Sequence, residues 1–118
     1  MINYNYGYAF TTVFTFTGAD TQVLNTQGKP WPMQVLGVEV YKSSGSPSLA
    51  YLTMWKDFGV APSLDKVDAL SLTKYEPFFF KPRGIQCPEF AKNEACLLKM
   101  QVDAAATFYV TLWTNVAV

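Results

Sequence analysis

The sequence predicts an all-β fold, an antiparallel jelly-roll-like β-sandwich of about seven or eight strands with at most one short helix. Three observations predict it. Apolar residues alternate with small or polar ones through most of the chain, which is the period of a strand rather than of a helix. Clusters of Gly, Pro and Ser interrupt that alternation at intervals of roughly 8–12 residues, the spacing of sandwich and barrel strands. No long helical spacers separate the strand-like runs, which argues against a parallel α/β sheet. With 118 residues, the whole chain, 1–118, is expected to form one domain, because chains divide only beyond roughly 250 residues.

The first run alternates over residues 2–17. Ile2, Tyr4, Tyr6, Tyr8, Phe10, Thr12, Phe14 and Phe16 share one parity; Asn3, Asn5, Gly7, Ala9, Thr11, Val13, Thr15 and Thr17 share the other. One face is therefore aromatic and the other mostly small or polar, and Gly7 is where the ribbon bends or bulges. Residues 18–32 read as a long connection because Asn25, Gly28, Pro30 and Pro32 interrupt a ladder, with residues 21–24 as a short edge strand. Residues 34–41 resume as a strand, with Leu36, Val38 and Val40 turned inward. Ser43, Ser44, Gly45, Ser46, Pro47 and Ser48 then form a turn, and residues 49–56 pair back as a hairpin.

Residues 63–70 are the one stretch with helical credentials: Ser63 caps, Asp65 lies in the first turn, and Leu64, Val67 and Leu70 recur at three-residue spacing. Residues 75–81 hold Phe78, Phe79 and Phe80 between Pro77 and Pro82, a short strand buried on both sides or placed at an edge. Residues 88–95 form a helical turn or an open loop. Two final alternating runs, over residues 96–103 and 108–116 with a turn at residues 103–106, are read as a terminal antiparallel hairpin. An immunoglobulin-like sandwich competes with the jelly roll, but it wants shorter loops, and its Cys…Trp…Cys arrangement does not occur.

Composition excludes most chemistry. The chain has no histidine, which removes the commonest general base and the usual zinc and haem ligand. Cys87 and Cys96 cannot build a zinc site alone; they are either reduced or bridged across a short loop. Ser63 and Lys66 have S-x-x-K spacing without the accompanying SDN or KTG motifs. The carboxylate pairs Asp65/Asp68 and Glu89/Glu94 read as solvated loop charges rather than a hydrolytic pair. No phosphate-cradling or calcium-loop motif occurs. Enzymatic activity, a metal and a cofactor are not expected.

Nine Lys and Arg balance nine Asp and Glu, so no global field favours nucleic acid, whose binding is driven by phosphate neutralisation. The one local enrichment, Lys74, Lys81, Arg83, Lys92 and Lys99, is diluted by Glu76, Glu89 and Glu94. No apolar run reaches the length of a membrane helix, and the first ten residues lack the pattern of a secretory signal.

Charge is scarce while aromatics abound: 16% of residues are aromatic and 15% charged, against about 25% charged in an ordinary domain. Monomers protect strand edges and faces with charge, whereas buried protein contacts dispense with it. Part of this surface is therefore expected to be covered by neighbours. A helix-poor, Thr- and aromatic-rich chain that starts at Met1 and closes on TFYVTLWTNVAV resembles the jelly-roll or β-sandwich shell proteins of small viruses and phages. The resemblance implies a non-enzymatic capsid, minor capsid or decoration subunit. Such a subunit resides in a virion assembled in the host cytoplasm, and its partners are copies of itself or other shell proteins. The chain departs from the RNA-virus coat pattern in lacking a basic N-terminal arm.

The interface candidates are Tyr4, Tyr6, Tyr8, Tyr109 and Trp113, with the last strand placed to add to a neighbouring sheet edge. The alternative is a glycan- or receptor-binding β-sandwich in which Trp31, Trp55 and Trp113 stack on ligand.

Overall fold

The computed structural model describes residues 7–69, 78–81 and 84–116. Nine strands are found among them: β1 (Tyr8–Phe16), β2 (Asp20–Thr26), β3 (Met33–Gly45), β4 (Ala50–Lys56), β5 (Leu64–Asp68), β6 (Phe78–Phe79), β7 (Glu89–Phe90), β8 (Cys96–Val102) and β9 (Ala106–Thr114). They form two antiparallel sheets. The first has the order β1-β9-β3-β6, with β7 added to one end of β3; the second has the order β2-β8-β4-β5. Read in the same direction, the two orders match consecutive strands: β1 with β2, β9 with β8, β3 with β4 and β6 with β5. This is a jelly-roll strand order, in which the chain wraps repeatedly from one sheet to the other.

That wrapping corrects both hairpins expected from the sequence. Strands β3 and β4 are consecutive but lie in different sheets, and so do β8 and β9. The serine-rich segment does not stop β3 at Tyr41 either, since pairing with β9 continues through a register shift to Gly45. Asp103 ties the two crossings together: its Oδ1 accepts the N–H groups of Ser48 (2.9 Å) and Leu49 (3.1 Å). The true hairpin of the second sheet is β4–β5, extended by Ser63 N–H donating to the Met54 carbonyl and Ala69 N–H to the Ala50 carbonyl.

Residues 64–68 are therefore strand, not helix. A two-turn helix satisfies few of its own backbone groups, while the same residues laid along β4 are paired. The S-x-x-K spacing consequently loses its helical face. The short edge strand expected at 21–24 is longer, running through all of β2. Residues 88–95 contain β7 and a turn at Asn93, which has φ +66°. Glycine is required at two close approaches. Gly7 has φ +81°, and a Cβ there would lie 2.1 Å from the Thr114 carbonyl oxygen; a Cβ on Gly28 would lie 2.3 Å from the Asn93 backbone. The expected bend at Gly7 thus sits where β1 begins.

Inward side chains from both sheets meet in one core. Phe14 and Phe16 from β1, Val38 and Val40 from β3, and Phe108, Val110 and Leu112 from β9 face Ala50, Leu52 and Met54 of β4 and Leu98 and Met100 of β8. The aromatic parity of the first ribbon is thus the core-facing one, from Phe14 onward fully buried. Cys87 and Cys96 are free thiols. Burial pushes the Cys96 thiol up to about 12, against a smaller opposing effect of a hydrogen bond with Thr26.

Candidate functional site

The outward side chains of β1, β9 and β3 lie in cross-strand rows set by the ladder register. Ala9, Trp113 and Gly37 form one row, Thr11, Thr111 and Glu39 the next, then Val13, Tyr109 and Tyr41, and finally Thr15, Thr107 and Ser44. Within these rows Glu39 is the one carboxylate, and there is no Lys or Arg. Thr11 and Thr111 share a hydroxyl hydrogen bond of 2.8 Å. Beside them the Tyr41 and Tyr109 rings sit 6.1 Å apart, tilted by 31°. Val13, Tyr109 and Tyr41 are 49%, 40% and 39% exposed, an open apolar row across three strands. Glu39, Tyr41, Tyr109 and Thr111 line a shallow hollow of about 260 Å³.

The outer face of the second sheet is built differently. Its rows are Thr21–Gln101–Tyr51–Asp68, Val23–Lys99–Thr53 and Asn25–Leu97–Trp55. Leu97 points away from the core yet is 6% exposed. Trp55 lies beside it, and the Phe58 ring folds back to 5.7 Å from the Trp55 ring. This face covers its own aromatic residues.

The sequence candidates are dispersed over the molecule. Tyr109 and Trp113 lie on the open face of the first sheet, Trp113 half-buried opposite Gly37, which leaves it room. Tyr8 has the core-facing parity of Phe14 but stands at the end of β1, 56% exposed. Tyr4 and Tyr6 lie outside the described residues, as do Lys74, Tyr75, Glu76 and Arg83. Augmentation by the last strand is corrected: β9 is paired on both sides, by β1 and β3, so it offers no free edge. Tyr41 and Val13 were missed as site residues. The signal for Val13 was its opposite parity to Phe14; for Tyr41 it was the inward placing of Val38 and Val40, which turns Tyr41 outward.

The three tryptophans do not converge. Trp113 and Trp55 occupy the outer faces of different sheets, and Trp31 sits in the connection between β2 and β3. The crevice beside Trp31, shared with Lys29, Met33 and Glu94, has about 10 Å³, room for a single water rather than a sugar ring. The Trp55 Nε1 is buried without an acceptor among the described residues, and Phe58 packs on its ring.

No chemical constellation is assembled elsewhere among the described residues. Glu94 accepts the Ala91 N–H at 2.9 Å and lies 3.9 Å from Lys56 Nζ, and Glu89 accepts from Gln34 Nε2 at 3.3 Å, so this carboxylate pair is engaged in holding loops. An open hollow of about 470 Å³ beside them presents Lys56, Lys92, Glu89 and Phe90, with Lys56 already paired to Glu94. Lys99 projects from the outer face of the second sheet while Lys92 sits in the loop before β8, so these two lysines are on different parts of the surface. Among the described residues no three His, Cys, Asp or Glu gather as metal ligands, and no helix is long and apolar enough to cross a membrane.

No family model matches the chain, and no curated protein sequence matches it. Among solved structures it is similar to Salmonella Typhimurium PliG, a periplasmic lysozyme inhibitor of g-type lysozyme, at 14% identity over 96% of this chain and 94% of that one, with a TM-score of 0.39. It is also similar to Aeromonas hydrophila PliG, described in the same words, at 12% identity over 95% and 91% of the two chains, with a TM-score of 0.42. The expected virion location and capsid, minor capsid or decoration role are corrected accordingly: these neighbours are periplasmic bacterial inhibitors, not shell proteins. The all-β character of the resemblance holds, while neither of these two neighbours is a viral shell protein.

Proposed function

We propose that the protein is a non-enzymatic protein-recognition module whose docking surface is the outer face of β1, β9 and β3. The observation that carries this reading is the open row Val13–Tyr109–Tyr41, set on a face with one carboxylate. Interface cores are depleted of charge and enriched in Tyr and Trp. Tyrosine supplies a large, rigid contact area at low entropic cost because it has only two side-chain torsions to fix. The rigid ladder beneath holds these rings in place before any partner arrives, which lowers the cost of binding.

The test compares two single charges placed on opposite faces. Tagged protein is crosslinked mildly in an extract of its own source cells, as wild type, Tyr109→Lys and Val23→Lys, each checked for native circular dichroism. The expected result is one defined protein recovered by wild type and by Val23→Lys but lost with Tyr109→Lys. Recovery unaffected by Tyr109→Lys, or abolished by Val23→Lys instead, overturns the assignment of the docking face.

A further inference from the structure

We infer that the occupant of this face is a second copy of the same chain, paired face to face about a two-fold axis that crosses β9 at Val110; the inference rests on the docking reading above. An axis lying in the plane of the face, perpendicular to the strands and midway between the Tyr109 and Thr111 rows, reverses the order of rows and keeps each strand over its own counterpart.

Each row then meets its complement. Tyr109 of the second copy falls over Thr111, Val13 over Thr11, and Tyr41 over Glu39. Trp113 falls over Thr107, and Gly37 over Ser44. Along β9 a large ring meets a small threonine at both levels, Tyr109 over Thr111 and Trp113 over Thr107, as interdigitating sheet faces require, while Val13 and Thr11 are of equal size. The hollow lined by Glu39, Tyr41, Tyr109 and Thr111 lies on the axis and receives the opposing tyrosines. A two-fold axis running along β9 would instead set Tyr109 against Tyr109 and leave Glu39 facing a threonine.

Electrostatics agree with self-pairing. The chain carries no net charge, so two copies approach without global repulsion. The one carboxylate of the face, Glu39, comes under a phenol O–H of the second copy, which donates to it. Such a contact is reciprocal in an isologous interface and therefore occurs twice. Three strands spaced about 4.8 Å apart and nine residues long at about 3.4 Å each give a face of about 440 Å² per copy. A pair buries roughly 900 Å² in all, at the low end for specific interfaces, so the association is weak and concentration-dependent.

Sedimentation velocity on the full chain from about 5 to 500 µM tests this. Wild type and Val23→Lys are expected to shift from monomer to dimer and no further. Tyr109→Lys stays monomeric throughout while retaining native circular dichroism. Tyr41→Phe weakens pairing at least a hundredfold, because the hydrogen bond to a charged group is lost twice in each pair. Combining it with Glu39→Gln gives less than the sum of the two single effects, because the two groups meet across the axis. A wild type that stays monomeric at every concentration, or a dimer indifferent to Tyr109→Lys, overturns the pairing. If such a monomeric chain still takes up a different protein through Tyr109, the docking face stands and only its occupant is wrong; loss of both removes both.

Discussion

Near the start of β8, Leu97 faces away from the core and is 6% exposed; near the centre of β9, Tyr109 also faces away and is 40% exposed. The difference comes from the turn at the end of the neighbouring strand. Strand β4 leads into the tight turn Asp57–Phe58, where both residues have positive φ, +49° and +52°, and Gly59 N–H donates to the Lys56 carbonyl at 2.8 Å. That backbone is costly for a bulky side chain, but it returns the Phe58 ring to Trp55 beside Leu97. No described segment returns over Tyr41 and Tyr109. One face is closed by its own turn, while over the other no described residue folds back.

The largest expected effect arises from that covering. Leu97→Ala, although on an outward face, should destabilise the protein by about 2–3 kcal/mol, the range of a core truncation, measured by urea unfolding. A cost under about 0.5 kcal/mol would mean that Leu97 behaves as an ordinary surface residue and that the two faces do not differ.

How much of this is legible in the sequence depends on the kind of information. Alternation fixes faces, so Phe14 and Phe16 inward with Thr11 and Val13 outward can be read from period 2 alone. Partners are another matter. A serine-rich turn between residues 41 and 49 looks the same whether the chain folds back in plane or crosses to the other sheet. The deciding contacts, from Ser48 and Leu49 to Asp103, span more than fifty positions. Residues 63–70 mislead because Leu64, Val67 and Leu70 have helical spacing, while the edge of β4 supplies pairing that no local pattern reveals. Tyr109 and Trp113 are legible as outward aromatics; Tyr41 becomes a site residue only when β9 is placed beside β3.

A second prediction probes how deeply β8 is packed on its other side. The Cys96 thiol, beside Leu97 but facing the core, is pushed up to about 12 by burial. In the unfolded chain it ionises near its ordinary value of 9.0, while the folded chain keeps its proton. The unfolded state therefore binds fewer protons above that pH, and stability falls as pH rises from about 9 towards 12, with no effect below. Relative to Cys96→Ala, the wild type should lose about 1 kcal/mol by pH 10. Parallel pH profiles for the two proteins would show that the thiol is solvated.

A smaller effect separates strain from covering in the β4–β5 turn. Phe58→Ala retains a left-handed backbone at a residue with a Cβ and loses the ring on Trp55. Phe58→Gly loses the same ring but relieves the backbone. The glycine variant should therefore be the more stable of the two by about 1 kcal/mol, and both should shift Trp55 emission to the red. If alanine matches glycine, the positive φ is not what the turn spends to cover this face.

The smallest expected change in stability falls at Tyr109, and it carries the comparison furthest. Threonine suits a pleated surface as well as tyrosine does, and the neighbouring Thr11–Thr111 contact already shows threonines accommodated on this face. Tyr109→Thr should move the unfolding free energy by no more than about 0.5 kcal/mol, in contrast to Leu97→Ala, while removing the ring that seats over Thr111 of the second copy. Self-association should then fall at least tenfold with no change in fold, read by sedimentation beside urea unfolding of the same samples. A tyrosine whose loss costs about 2 kcal/mol of stability would be a packing residue like Leu97. The open face would then be completed from within, and the asymmetry between the two sheets would have no bearing on binding.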